Sequence, residues 1–255
     1  MCRASWSGDG KSYELHDSMN WETLPDYDAL SRRAASILLE AIRSDPHAVL
    51  GLPTGRTPIG MYDRVVQECS RQYHCFREVT TFNLDEYVGI PREHPGSYFM
   101  FMKQHLFDHV DLDPARTHIP DGMARDPKAE CARYERTIVA AGGLGLTFLG
   151  LGSNGHIAFN EPGTPFDSRT RVVELTPSTR KANAPLFAGG RVPTHAITVG
   201  IGTILDSRQI VLLAGGKDKH EAITRLRSGD QTIDFPASAL WKHPDVKVIV
   251  DKTAM

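Results

Sequence analysis

Short apolar runs that stop at loops rich in Gly, Pro or Asp, each followed by a helical stretch, recur along the whole chain and constrain its fold more than any other feature. Such runs lie at 48–52, 79–84, 146–151, 195–199, 210–214 and 246–250. Runs of this length without polar alternation read as strands covered on both faces, the mark of parallel βαβ units. A helix starts near Asp26 and places Leu30, Ala34, Ile37, Leu38 and Ala41 on one face. Another begins near Pro58, a good first-turn residue, and more follow at 97–109, 127–140 and 217–226. The alternation predicts an α/β protein with a single doubly wound, Rossmann-like, mostly parallel sheet flanked by helices. Residues 13–255 read as a single domain without a linker, and residues 1–12 as a loose N-terminal tail.

A chain of 255 residues is long enough to bury such a core. Its formal net charge of -2 supplies no strong field for nucleic acid or an anionic membrane, so neither is expected as a partner. A small anion held by a few local cations fits better. Cys2, Cys69, Cys75 and Cys131 form no CxxC pair, which points to free thiols in a reducing compartment. The opening MCRASWSGDGKSYELHD lacks the apolar core of a signal peptide. No segment approaches the roughly 18 apolar residues of a membrane helix. A soluble, cytoplasmic protein is expected.

In doubly wound sheets, ligands bind in the crevice at the carboxyl ends of the strands, so the loops after strands carry the search. GLPTGRTPIG, residues 51–60, joins a strand to a helix. Gly55 permits close backbone approach, Thr54 and Thr57 offer hydroxyls, and the helix start offers free N–H groups. A phosphate cradle and a tight turn capped by Thr57 both fit; the ending of a Walker A loop is absent. FNLDEYVG, residues 82–89, ends a strand with Asp85 and Glu86. Either can serve as a general base, although acids are common at turns and, on this segment alone, the turn reading leads. LGLGSNGHIAFNEPGT, residues 149–164, is more telling. A strand enters a Gly-rich turn with His156, and Glu161 follows five residues later. Asn154 can orient the imidazole and Glu161 can hold its charge, which suits proton exchange with a sugar oxygen.

Other features carry less. His105 and His109 are four apart without the Glu of a metalloprotease pattern, so a helix-surface role is preferred to a metal. His94 fits a crevice position and a loop role alike, and His243 has no assigned task. Gly163 to Val192 is rich in Pro and Gly and reads as a lid over the site.

Together, GLPTGRTP, TTFNLDEYVGIPREHPGSY, GLGSNGHIAFNEPGT, HAITVGIGTIL and DFPASALWKH resemble the isomerising glucosamine-6-phosphate deaminases over about residues 28–250. The related 6-phosphogluconolactonases share the fold but lack FNLDEYVG and the FNEP ending. The resemblance implies an enzyme needing neither metal nor cofactor. His156, with Glu161 and Asn154, would handle the ring-oxygen proton, and Asp85 would move a proton from carbon 2 to carbon 1 of a cis-enolamine. Ammonia and a ketose 6-phosphate would result. Thr54, Gly55 and Thr57 would cradle the phosphate, Lys219 in GGKDK matches the family's phosphate lysine, and Arg56 and Glu86 join the substrate-binding set.

Three departures stand out. Asn154 replaces an Asp found in many members, implying a shifted pH profile. Pro185, in TRKANAPLF, stands where the family has a phosphate-binding Arg, and Arg56 stands where Gly is usual. These two changes suggest a rebuilt anion site with Arg56 restoring the charge; in the competing view Arg56 faces solvent and Arg180 or Lys181 supplies it. The alternatives to a deaminase are an aldose–ketose isomerase of a nitrogen-free sugar with a terminal anion, and a non-catalytic sugar-phosphate sensor. The chain stops soon after Val250, short of the extension of the hexameric, allosterically regulated deaminases. A monomer or small homo-oligomer without amino-sugar activation is expected.

Overall fold

In the computed structural model, which describes residues 19–71, 75–187 and 190–255, seven strands run parallel in one sheet. The expected tail at 1–12, Cys2 with it, lies outside the described residues, as does Gly189 of the expected lid. The first half contains β1 (Met19–Leu24), α1 (Tyr27–Ser44), β2 (Val49–Leu52), α2 (Ile59–Cys69) and β3 (Thr80–Asn83). Then come β4 (Asp85–Tyr87), α3 (Tyr98–His105), β5 (Thr117–His118), α4 (Pro127–Ala140) and β6 (Leu146–Gly150). The rest holds β7 (Arg171–Glu174), α5 (Pro177–Asn183), β8 (His195–Thr198) and α6 (Ile201–Leu205). Last are β9 (Gln209–Ala214), α7 (His220–Arg227) and β10 (Val246–Asp251).

The main sheet has the order β1-β10-β9-β6-β2-β3-β5, each strand parallel to its neighbours. From β2 the chain winds outward through β3 to β5, and from β6 it winds the other way through β9 to β10. The reversal makes β2 and β6 the topological switch point, where α/β sheets open a crevice. Side chains alternate between two cores, one on each face. Leu149, Leu212 and Val248 pack on one side, and Phe148, Val211, Leu213 and Ile249 on the other. Each such side chain contributes about 1.5–3 kcal/mol on burial, which explains the uninterrupted apolar runs.

The expected helices form, with local reasons for their ends. Asp26 caps α1 by accepting from the Ala29 N–H, Ser97 caps α3, and Asp126 caps α4 ahead of Pro127. Thr57 does not cap α2: Pro58 holds the cap position, with no side-chain bond. The helix expected over 97–109 ends at His105, where Leu106 leaves helical geometry and 107–109 close a 3-10 turn. The one expected over 217–226 opens with a 3-10 turn at 217–219. The strand expected at 195–199 forms, but as β8 of a second, antiparallel sheet of order β4-β8-β7. That small sheet carries Asp85 and covers a third apolar cluster of Tyr87, Tyr98, Phe159, Leu175, Phe187 and Ala196.

Candidate active site

Four loops converge on the switch point because they follow four adjacent strands, β9, β6, β2 and β3. They bring the segments holding Lys219, His156, Thr54 and Asp85 to the same end of the sheet.

The imidazole is held through its Nδ1 by a pair of side chains acting in series. Asn154 Nδ2 donates to Glu161 Oε2 at 2.7 Å, and Asn154 Oδ1 lies 2.7 Å from His156 Nδ1. A carboxylate only accepts, so Asn154 must turn its NH2 toward Glu161 and its carbonyl toward His156. The carbonyl also accepts the His156 backbone N–H at 3.2 Å. His156 Nδ1 is therefore the protonated nitrogen of the neutral ring, and Nε2 keeps a lone pair. Burial lowers the His156 pKa; the Glu161 charge opposes this and the Lys219 charge adds to it. Near neutral pH the ring is a neutral base. Its seat depends on Gly152, where a Cβ would lie 2.3 Å from Nδ1, and on Gly155, which adopts φ +87° beneath the Phe235 ring.

Sequence reasoning missed what holds Glu161. Thr179 Oγ1, in α5, donates to Glu161 Oε1 at 2.5 Å, and Thr176, the N-cap of α5, approaches the same oxygen at 3.4 Å. The hydroxyls lie 15 and 18 residues downstream, and no local pattern marks them.

Asp85 is buried, and among the described residues no hydrogen bond reaches its carboxylate. Burial pushes its pKa up to about 8, with the Glu86 charge adding to the rise. Glu86, placed with the substrate-binding groups by the sequence reading, has both carboxylate oxygens engaged by backbone N–H groups. One of its oxygens accepts the N–H groups of Tyr87 and Tyr98 at 2.8 and 3.0 Å, and the other accepts Phe99 N–H at 3.0 Å. Two of these donors lie in the first turn of α3, so Glu86 ties that helix to β4. Burial raises its pKa while those N–H groups and Arg92 pull against the rise.

In the 51–60 loop Gly55 takes φ +100°, a conformation that favours glycine. The loop is braced from behind by Tyr27, whose hydroxyl lies 3.2 Å from the Arg56 carbonyl and 3.0 Å from that of Thr57 and accepts the Gly60 N–H at 2.9 Å. Lys219 is largely covered, pairs with Asp218 at 3.1 Å and acts on His156 through its charge. Arg56 is exposed, and no side-chain bond or ion pair joins it among the described residues. Pro185 and Lys181 are exposed, whereas Arg180 buries an Nε with no hydrogen-bond partner among the described residues.

The other histidines singled out in the sequence have structural partners. His109 Nε2 meets the Gln104 carbonyl at 2.9 Å, and His105 packs on Phe101. His94 Nδ1 accepts the Gly96 N–H, and buried His243 bridges the Ser207 carbonyl and the Asp245 N–H.

Fold and site together define the class: a doubly wound α/β enzyme with its titratable groups at the switch point of the sheet. The chain belongs to the glucosamine-6-phosphate isomerase/6-phosphogluconolactonase family, whose profile matches residues 26–250. It is 50% identical over 236 residues to a glucosamine-6-phosphate deaminase of Lysinibacillus sphaericus (strain C3-41), covering 92% of this chain and 100% of that one. Glucosamine-6-phosphate deaminase 1 of Bacillus subtilis (strain 168) is 47% identical over 229 residues, 89% of this chain and 95% of its own. The structure superposes on a monomeric glucosamine-6-phosphate deaminase with a TM-score of 0.88 at 45% identity, covering 92% of this chain and 98% of the other. A 6-phosphogluconolactonase from Thermotoga maritima shares the fold at 20% identity and a TM-score of 0.73, covering 92% and 100%.

Proposed function

We propose that the chain isomerises and deaminates an amino sugar 6-phosphate, glucosamine 6-phosphate or a close analogue, to a ketose 6-phosphate and ammonia. The observation that carries this reading is the neutral His156 ring, its tautomer fixed by Asn154 and its free nitrogen available to a sugar oxygen. Nε2 takes the proton of the anomeric hydroxyl and delivers it to the ring oxygen, so the bond from carbon 1 to that oxygen breaks and an aldehyde forms. Glu161, held by Thr179, stabilises the imidazolium between the two transfers.

Asp85 then takes the proton on carbon 2 while the substrate ammonium gives one to the aldehyde oxygen, giving a cis-enolamine, and Asp85 returns its proton to carbon 1. Water adds to the resulting carbon 2 imine, the carbon–nitrogen bond breaks, and ammonia leaves. A buried carboxyl that keeps its proton up to about pH 8 is a stronger base than an ordinary Asp. The positive charge of a substrate ammonium beside it favours the ionised form it needs.

Thr54, Gly55, Thr57 and Lys219 supply hydroxyls, backbone N–H groups and a cation for the phosphate. The 163–192 segment acts as a lid, anchored to the site where α5 grips Glu161. The chain works as a monomer or small oligomer in the cytoplasm, in keeping with its likeness to a monomeric deaminase and with the lack, among the described residues, of a helix able to cross a membrane. Assaying ammonia release beside ketose formation from glucosamine 6-phosphate tests the reading. Both signals support it, ketose alone makes the protein an isomerase, and neither makes it a sensor.

A further inference from the structure

Between His156 and Glu161 the backbone passes through a strained turn. Ala158 takes φ +49°, in the left-handed region that favours glycine and strains a residue with a Cβ. Such a backbone persists only where its surroundings fix it. Asn160 supplies much of that hold. It is fully buried, and its Nδ2 donates to the carbonyls of Ile157 and Val199, each at 2.9 Å. The Phe159 N–H, between Ala158 and Asn160, donates to Thr198 Oγ1 at 3.1 Å. With both amide hydrogens of Asn160 engaged, its Oδ1 can only accept, and Arg171 Nη1 of β7 donates to it at 2.8 Å.

The same guanidinium reaches past Glu161. Arg171 Nη2 donates to Thr164 Oγ1 at 3.2 Å, and that hydroxyl gives its one proton to the Glu161 carbonyl at 2.7 Å. The Thr164 N–H meets the same carbonyl at 3.1 Å, closing the turn. One planar fork thus holds the residue before Glu161 and the residue that closes the turn after it. The Glu161 carboxylate meets Asn154 and Thr179 from a backbone fixed at both ends. Arg171 is half-buried, and among the described residues no carboxylate pairs with it. A cation drawn partly out of water for two neutral acceptors is an expensive brace for a strand. The spacing of those acceptors gives the arginine its reason, because a rigid fork matches it and a single ammonium does not.

We propose that Arg171 is a positioning residue: through Asn160 and Thr164 it sets the backbone that carries Glu161, and so seats the carboxylate against Asn154 and the His156 imidazole. It deepens the proposed function and rests on that reading only for the turnover that the seating serves.

The test uses the full chain and three substitutions that leave its net charge unchanged. Arg171→Lys keeps the charge and loses the fork, Thr164→Val removes the hydroxyl and keeps the N–H, and Thr164→Ser keeps both. The charges acting on the imidazole are Glu161, which raises its pKa, and Lys219, which lowers it. A carboxylate that drifts from its seat gives up part of its effect. The His156 titration followed by NMR is therefore expected to move to lower pH by about 0.3 unit or more in Arg171→Lys and Thr164→Val. In Thr164→Ser it is expected to return to within about 0.1 unit of the unmodified chain. With glucosamine 6-phosphate, the first two variants are expected to lower kcat about tenfold while KM moves less than about threefold. An unmoved titration in Thr164→Val overturns the proposal, as does an Arg171→Lys protein that matches the unmodified chain, or an equal shift in Thr164→Ser and Thr164→Val. A lower melting temperature with the titration unmoved likewise overturns it, making Arg171 a brace of the fold alone. If Arg171→Lys does not fold, the two Thr164 variants decide. The titration needs no turnover, so its failure is distinguishable from failure of the deaminase reading, which ammonia release from the unmodified chain decides.

Discussion

Glu161 Oε2 stands 3.7 Å from His156 Nδ1, a separation too long for a hydrogen bond and bridged instead by the Asn154 amide. The bridge passes orientation from the carboxylate to the imidazole while adding no charge of its own. Asn154→Asp would add one, next to a ring whose charged form it favours. It would also set two carboxylates against each other where 2.7 Å now separates Asn154 Nδ2 from Glu161, forcing them to share a proton. Because the neutral ring is the working base, the acid limb of kcat/KM is expected to move to higher pH. A His156 titration followed by NMR should move the same way, and an unmoved titration would disprove the bridge's electrostatic role. Asn154→Ala, which frees the tautomer, should lower kcat at least about tenfold.

Asp85 links activity to stability with opposite signs. Its pKa, raised from 3.8 to about 8, means the folded state binds a proton more tightly than the unfolded chain. The stability this contributes is full below about pH 4 and is lost as pH rises toward 8. Asp85→Asn cannot ionise, so its unfolding free energy, followed through melting, should gain on that of the unmodified protein between about pH 4 and 8, by on the order of a few kcal/mol. Activity should fall about 10²- to 10⁴-fold in the same variant. A melting difference that stays flat with pH would mean the carboxyl is ordinary.

Glycine at 152 makes room for the imidazole rather than for the backbone. A Cβ there would sit 2.3–2.5 Å from three ring atoms of His156. Gly152→Ala should therefore push the ring from its seat and reduce kcat by on the order of 10²-fold with little change in folding. Gly150→Ala is the control, because nothing lies within 4 Å of its added Cβ. Equal kinetics for the two variants would remove His156 from the reaction.

The strands at the middle of the sheet were legible because both faces are buried: in β6, Phe148 and Leu149 point into opposite cores, so the run stays apolar throughout. Strands β4 and β5 hold three and two residues, too few for any periodicity, and β7 is mostly half-exposed. Asp85, His156 and Glu161 could be proposed as candidates from the sequence because they follow strands whose ends open on the switch point. The tie of Glu86 to α3 was not legible, since adjacency to Asp85 says nothing about which oxygen meets which N–H, and α3 starts 12 residues later. Thr179 was missed for a similar reason: it acts through a tertiary contact, and its residue type is not unusual where it stands.

The anion end is where the sequence motifs were expected to depart from the family, and Arg56 is the group to test. Lys219 already pairs with Asp218, Pro185 has no charge to offer, and Arg56 is exposed on the 51–60 loop without a partner among the described residues. An unpaired guanidinium on a loop whose backbone is braced by Tyr27 can swing over a bound phosphate without moving the loop. Such a charge-assisted bond is worth about 1.5–3 kcal/mol, so Arg56→Ala should raise KM for the sugar phosphate roughly 10- to 150-fold with kcat nearly unchanged. The increase should shrink as salt is added, because the arginine works near solvent. Should KM stay the same for every sugar phosphate tried, Arg56 is a solvent-facing residue, and Arg180→Ala, aimed at the guanidinium whose Nε is buried without a partner among the described residues, should then raise it instead.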